Sequence, residues 1–182
     1  MITYRQPIAL DIPVLVTYDK ELFPYSPWNS AQFKEEFAGI PATRFFVVAE
    51  DGNQIVGYAG CFSPGEDIEA DILTVGVLPS HRGQGIAKEF IKQMEQWCRE
   101  RKASAMMLEV KVDNVEAIGL YLSLGYMKIS VRMATLPCLM QSVILCRSCS
   151  APPTMKTQMP PILSWSFLMA RRTWTSITIG KL

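Results

Sequence analysis

Residues 71–90 read DILTVGVLPSHRGQGIAKEF, and the reading of this stretch decides the fold. The apolar positions Ile72, Leu73, Val75 and Val77 have the character of a buried strand. They run into a short loop holding Arg82, Gly83, Gln84, Gly85 and Ala87, within which an amphipathic helix begins. Such a junction leaves several backbone N–H groups without intrahelical acceptors, at the positive end of the helix dipole. Gly83 and Gly85 let that backbone approach a ligand closely. Together these features describe a cradle for a diphosphate.

Working outward, the helix over 85–101 places Ile86, Phe90, Met94, Trp97 and Cys98 on one face, with Lys88, Lys92, Glu95, Arg99 and Glu100 on the other. Residues 105–112 read as a further strand. Asn114 caps a helix carrying Ala117, Leu120, Tyr121 and Leu124, and Gly125 stops it. Residues 126–131 form another strand candidate. On the N-terminal side, residues 1–6 suggest a first strand, and Asp11 a cap for a helix with Pro13 in its first turn. FPYSPW, residues 23–28, is a proline-broken loop, after which Asn29 or Ser30 caps a short helix with Phe33 and Phe37 four apart. Residues 44–50 and 54–62 flank Asp51-Gly52-Asn53, a hairpin signal. The order β-α-α-β-β-β-α-β-α-β predicts an α/β (α+β) sandwich, largely antiparallel, with one parallel βαβ crossover.

Three phosphate loops differ in spacing. A Walker loop requires Gly-Lys-Ser/Thr, which is absent. A dinucleotide fingerprint requires a third small residue where Lys88 stands. What fits is Arg82-x-x-Gly85-x-Ala87, which resembles the Q/R-x-x-G-x-G/A loop of the GCN5-related N-acetyltransferase (GNAT) superfamily. LEVKVDNVEAIGLYLSLGY, residues 108–126, resembles the N-x-x-A-x-x-x-Y-x-x-x-G-F/Y segment of the same superfamily through Asn114, Ala117, Tyr121, Gly125 and Tyr126. Its leading Leu-Glu-Val is similar to the RimI-like ribosomal-protein-alanine N-acetyltransferases, as is FPYSPWNSAQF to their substrate-side F-x-x-x-P-W segment. The resemblance covers roughly residues 2–132.

This resemblance implies a twisted, mixed sheet flanked by helices, with a splayed parallel strand pair holding acetyl-CoA and no metal. It further implies that Arg82, Gly83, Gln84, Gly85, Ile86, Ala87 and Lys88 hold the diphosphate with help from Asn114. The backbone of Val75, Gly76 and Val77 would pair with the pantetheine arm and polarise the acetyl carbonyl. Glu109 would take the amine proton directly or through water, and Tyr121, a phenol of pKa ~10, would protonate the departing thiolate. Each residue also has a plainer reading: a surface strand residue for Glu109, helix packing for Tyr121, a helix cap for Asn114. His81, in the loop, reads as exposed punctuation. The implied acceptor is a protein N-terminal α-amine, that of a ribosomal protein's alanine. A small amine or antibiotic acceptor, or an impaired acetyl-CoA-binding protein, are the alternatives.

The 182 residues suffice for one sizeable core, and a net charge of +1 gives no bulk attraction to nucleic acid or an acidic membrane. No apolar run approaches the ~20 residues that span a bilayer, and MITYRQPIALDIPV lacks the apolar core of a secretory leader. Five scattered cysteines read as reduced thiols, so a cytoplasmic location is expected. Cys146-x-x-Cys149 lacks a second pair and is not read as a metal site. Glu66, Asp67, Glu69 and Asp71 form an acidic approach to the central strand, readable as a solvated loop or as an attractor of amines. All 17 acidic residues lie between Asp11 and Glu116. This places a boundary near Arg132, between an acetyltransferase-like domain at 1–132 and an atypical acid-free tail at 133–182. The tail lacks the aromatic pair and acidic segment of the resembling family and reads as a shifted reading frame or a divergent, disordered tail. A missing last strand would leave an open sheet edge.

Overall fold

The computed structural model describes residues 1–133 and 141–149. In chain order the elements are β1 (Ile2–Arg5), α1 (Ile12–Leu22, after a 3-10 turn at Ala9–Asp11), α2 (Ser30–Ala38), β2 (Arg44–Asp51), β3 (Gln54–Phe62), β4 (Ala70–Val77), α3 (Ile86–Glu100), β5 (Ala105–Lys111), α4 (Val115–Ser123), β6 (Met127–Met133) and β7 (Gln141–Ser148). They build one seven-stranded sheet in the order β1-β2-β3-β4-β5-β7-β6. Every neighbouring pair is antiparallel except β4–β5, which α3 joins as a parallel crossover. The mixed, mostly antiparallel architecture expected from the element order is what forms. Beyond the boundary drawn near Arg132, residues 141–148 enter the sheet between β5 and β6, so a strand does follow β6. The shifted-frame reading of the tail falls mostly on residues outside those described.

Alternation along the strands supplies the sheet with two apolar faces. One carries Val47, Ala49, Val75, Val77, Leu108 and Val110 and packs under α3 and α4 through Phe90, Met94, Ala117 and Tyr121. The other carries Val48, Ile55 and Tyr58 and is covered by Ile12, Leu15 and Phe23 from α1 and its end, and by Phe33 from α2. The β2–β3 hairpin turns through Gly52-Asn53, with Gly52 at φ 62° and Asp51 opposite Gln54. Asn29 caps α2 by accepting from the amides of Ala31 and Gln32.

Two expected surface roles are corrected. Asp11 precedes α1 but makes no side-chain cap bond. Its carboxylate instead accepts from both terminal nitrogens of Arg5 (2.7 and 3.0 Å), which hold it below the usual carboxylate range. Glu95, read as part of the polar face of α3, is only 6% exposed. It is turned inward because Nη1 of Arg147 of β7 donates to both its oxygens at 2.6 and 2.8 Å, a charge-assisted contact that offsets desolvation.

The deepest polar group of the α1 face is Asp19, 2% exposed. It follows Ile12 and Leu15 on the apolar stripe of α1, and burial raises its pKa to about 6. The unfolded residue titrates near ~3.9, so the folded state binds more protons between the two values and stability falls as pH rises through that window. Relative to the parent, Asp19→Asn is therefore expected to gain on the order of 3 kcal/mol between about pH 4 and pH 7. Urea unfolding of both proteins across that range checks this, and a difference independent of pH would contradict it.

Candidate active site

The site is built where β4 and β5 part. Their ladder consists of two register pairs, Ala70 with Met106 and Asp71 with Met107. Beyond Asp71 the strands diverge, and Val75, Gly76 and Val77 are paired only on their β3 side, with Ala59, Tyr58 and Gly57. A backbone edge is thus presented to the gap. Leu73 adds to the divergence: Ile72 opposes Cys61 and Thr74 opposes Gly60, so Leu73 is an extra residue in the β3–β4 ladder. Such bulges bend a strand and strengthen its twist. At Gly76 a Cβ would come within 2.8 Å of Leu22 Cδ1 and 3.1 Å of Tyr58, so α1 packs close behind the edge.

The cradle begins at the end of this strand. Arg82 Nε donates to the Val77 carbonyl at 3.3 Å, tying the loop back to β4. Gly83 and Gly85 have φ of 73° and 81°, in the left-handed region, and a Cβ at either would meet open space. Gly85 caps α3, so the first amides of that helix, from Ile86 onward, face the loop without helical acceptors. Gly83, Gln84, Gly85 and Lys88 are exposed, whereas Ile86 is 2% exposed and anchors the helix start in the core. Ile86 accordingly offers the loop only its backbone. A groove of about 370 Å³ continues from Gly85 and Lys88 along α3 to Leu124 at the end of α4.

Glu109 lies on β5 between Leu108 and Val110, which face α3 and α4; alternation puts Glu109 on the α1 face, half-buried. Ser142 Oγ of β7 donates to its Oε1. Tyr121 is fully buried on the opposite face, with its ring edge-on to Tyr126 at 5.2 Å. Its hydroxyl has no hydrogen-bond partner among the described residues, and desolvation pushes its pKa up, which keeps it protonated at neutral pH. Asn114 is buried and caps α4 by accepting from the Ala117 amide at 3.2 Å. The strand gap therefore brings together the backbone edge of residues 75–77 and the loop at 82–88, with Glu109 and Tyr121 on opposite sheet faces.

The residue 23–28 loop stands across the mouth of the gap. Leu22, at its start, touches Gly76 of β4, and Tyr25 lies beneath Lys111 of β5, whose Nζ is 4.2 Å from the ring centroid. Sequence reasoning missed Lys111, Asp19, Tyr58 and Ser142 as members of this neighbourhood. Only Asp19 had a legible signal, a carboxylate on an apolar helical stripe. His81, expected as exposed punctuation, is tucked against the β2–β3 hairpin with Nε2 3.6 Å from Asp51. The acidic approach is partly neutralised, as Glu66 pairs with Lys102 at 2.7 Å. Cys61, Cys98, Cys146 and Cys149 are free thiols, and the described residues include no group of three or more side chains suited to a metal ion.

Because the Tyr121 hydroxyl has no partner among the described residues to lose, Tyr121→Phe is expected to leave stability unchanged or raise it by up to about 3 kcal/mol. Gly85→Ala is expected to cost about 1 kcal/mol, since alanine resists the left-handed conformation. Urea titrations check both. A Tyr121→Phe loss above about 1 kcal/mol, or a neutral Gly85→Ala, would contradict the geometry.

The pattern of the acetyltransferase (GNAT) family matches residues 14–126. N-alpha-acetyltransferase RimI of Mycobacterium tuberculosis is 32% identical over 108 residues, 58% of this chain and 65% of that protein. The chain thus spans just under two thirds of that relative's length. The crystal structure of the ribosomal-protein-S18-alanine N-acetyltransferase from Escherichia coli superposes with a TM-score of 0.71 at 19% identity, covering 87% of this chain and 100% of that one. Arabidopsis thaliana NAA60 in complex with acetyl-CoA gives 0.71 at 20% identity, covering 81% and 98%. These likenesses in structure show a shared fold, and the sequence match over most of the described domain shows descent. The chain belongs to the acetyltransferase (GNAT) family.

Proposed function

We propose that this chain is a cytoplasmic N-acetyltransferase moving an acetyl group from acetyl-CoA to a protein N-terminal α-amine, with the N-terminal alanine of a ribosomal protein as acceptor. The observation that carries the reading is the two-pair ladder between β4 and β5, which leaves the edge of residues 75–77 open between the 82–88 loop and Glu109. Family membership and the names of the relatives support the reaction class; their acceptors support the choice of acceptor.

In this reading the amides at the start of α3, with Arg82, Gly83, Gln84, Gly85, Ala87 and Lys88, hold the diphosphate of the thioester substrate, and Asn114 keeps α4 beside it. The N–H groups of residues 75–77 polarise the acetyl carbonyl. Glu109 accepts the proton that the amine gives up as the C–N bond forms. Tyr121 gives its hydroxyl proton to the sulfur as the C–S bond breaks. A hydroxyl buried without a partner is a stability cost of about 1–3 kcal/mol, which a role as proton donor would explain.

Glu109→Gln and Tyr121→Phe are each expected to lower kcat by about 10²-fold or more while leaving acetyl-CoA protection in a thermal melt in place. The direct test is acetylation of a peptide panel, including ribosomal N-terminal sequences beginning with alanine, read by mass spectrometry. Acetylation confined to free small amines would reject the acceptor. Parent-level turnover in both variants would reject the residue roles.

A further inference from the structure

We propose that Asp19 is a positioning residue for the acceptor, a clasp that closes the residue 23–28 loop and sets it against the mouth between β4 and β5. The inference rests on the acyl-transfer reading above, because it takes that loop as a wall of the acceptor site. The loop begins and ends on Asp19. The Phe23 amide donates to the Asp19 carbonyl at 2.8 Å, and the Trp28 amide donates to its Oδ2. The second carboxylate oxygen, Oδ1, accepts from the Tyr58 hydroxyl of β3. Tyr58 stands opposite Gly76 in the β3–β4 register and packs against it.

One carboxylate therefore joins the far end of the loop to β3, the strand paired with the one whose edge lines the gap. Both its donors are neutral, and no Lys or Arg among the described residues pairs with it. A carboxylate sunk in an apolar cluster without a countercharge is a costly way to fill space. Its two oxygens accept separately from two donors on different elements; an aliphatic side chain accepts from neither, and an amide presents one oxygen only, its nitrogen being a donor. Trp28 is held in turn by its ring, 5.3 Å from Phe33 and 6.3 Å from Phe46, so fixing its amide fixes the loop's exit. The free end of the loop, Tyr25 under Lys111, is then aimed at the end of β5, two residues beyond Glu109.

The test combines amide hydrogen exchange by NMR with steady-state kinetics on an alanine-initiated peptide, for the parent, Asp19→Ala, Asp19→Asn and Tyr58→Phe. In Asp19→Ala the Trp28 amide is expected to exchange about ten-fold faster while β3 and β4 amides stay protected. The peptide KM is expected to rise about ten-fold, with acetyl-CoA KM and kcat at saturating peptide within about two-fold of the parent. Asp19→Asn and Tyr58→Phe, each keeping one acceptor–donor pair, are expected to fall between the parent and Asp19→Ala, and they carry the same test should Asp19→Ala fail to fold. Unchanged Trp28 exchange in all three variants overturns the clasp. Faster exchange with an unchanged peptide KM overturns its role in placing the acceptor. A parent that acetylates no peptide sinks the acyl-transfer reading and the acceptor role with it, while Trp28 exchange still decides the clasp.

Discussion

The structure depends on β4 and β5 pairing for two residues and then parting. A parallel ladder that continued would satisfy the backbone on both sides of β4 and leave a closed sheet. Stopping at Asp71 leaves a run of main-chain groups without a strand partner in the middle of a sheet, where an unsatisfied group is expensive. The surrounding elements hold this state in place. The extra residue at Leu73 twists β4, α1 packs tightly behind Gly76, and β7 takes the other edge of β5 along its whole length. The gap is fixed by its neighbours on every side, so it is a feature of the fold and not a fraying strand.

Around this gap the core departs from apolar filling. Tyr121 buries a hydroxyl on one face of the sheet, and Asp19 buries a carboxylate on the other. Each is a local cost that packing alone does not explain, and each lies on an element that borders the proposed reaction space. Glu95 contrasts with Asp19: equally buried, it has a countercharge, Arg147, on both its oxygens and so a structural explanation at hand. The buried carboxylate with a countercharge ties β7 to α3, and the one without, Asp19, stands beside the mouth.

Much of the fold was legible because its signals are local. The Asp51-Gly52-Asn53 turn, the Asn29 and Asn114 caps and the left-handed Gly125 each act within a few residues, and each appears at its expected place. The cradle was legible for the same reason, since Gly83, Gly85 and the start of α3 are contiguous. What escaped depends on partners carried by other elements. Glu95 reads as surface until Arg147, 52 positions away, is brought beside it. Asp11 reads as a cap until Arg5 takes its carboxylate. Tyr58 and Asp19 are 39 positions apart, and nothing in either's neighbours announces the other. The strand at 141–148 escaped because acid-free, unpatterned composition masked a run, Val143, Ile144 and Leu145, that is apolar enough to pair once β5 and β6 offer edges.

The central claim is that the open edge of β4 and the start of α3 together receive the acetyl-CoA substrate. Backbone amide NMR of the parent, with and without saturating acetyl-CoA, tests it most directly. The account predicts slowed hydrogen exchange and large chemical-shift changes at Val75 to Val77 and at Gly83 to Lys88, with the β2–β3 hairpin unmoved. Binding that leaves both segments unchanged, or no binding at all, would contradict it.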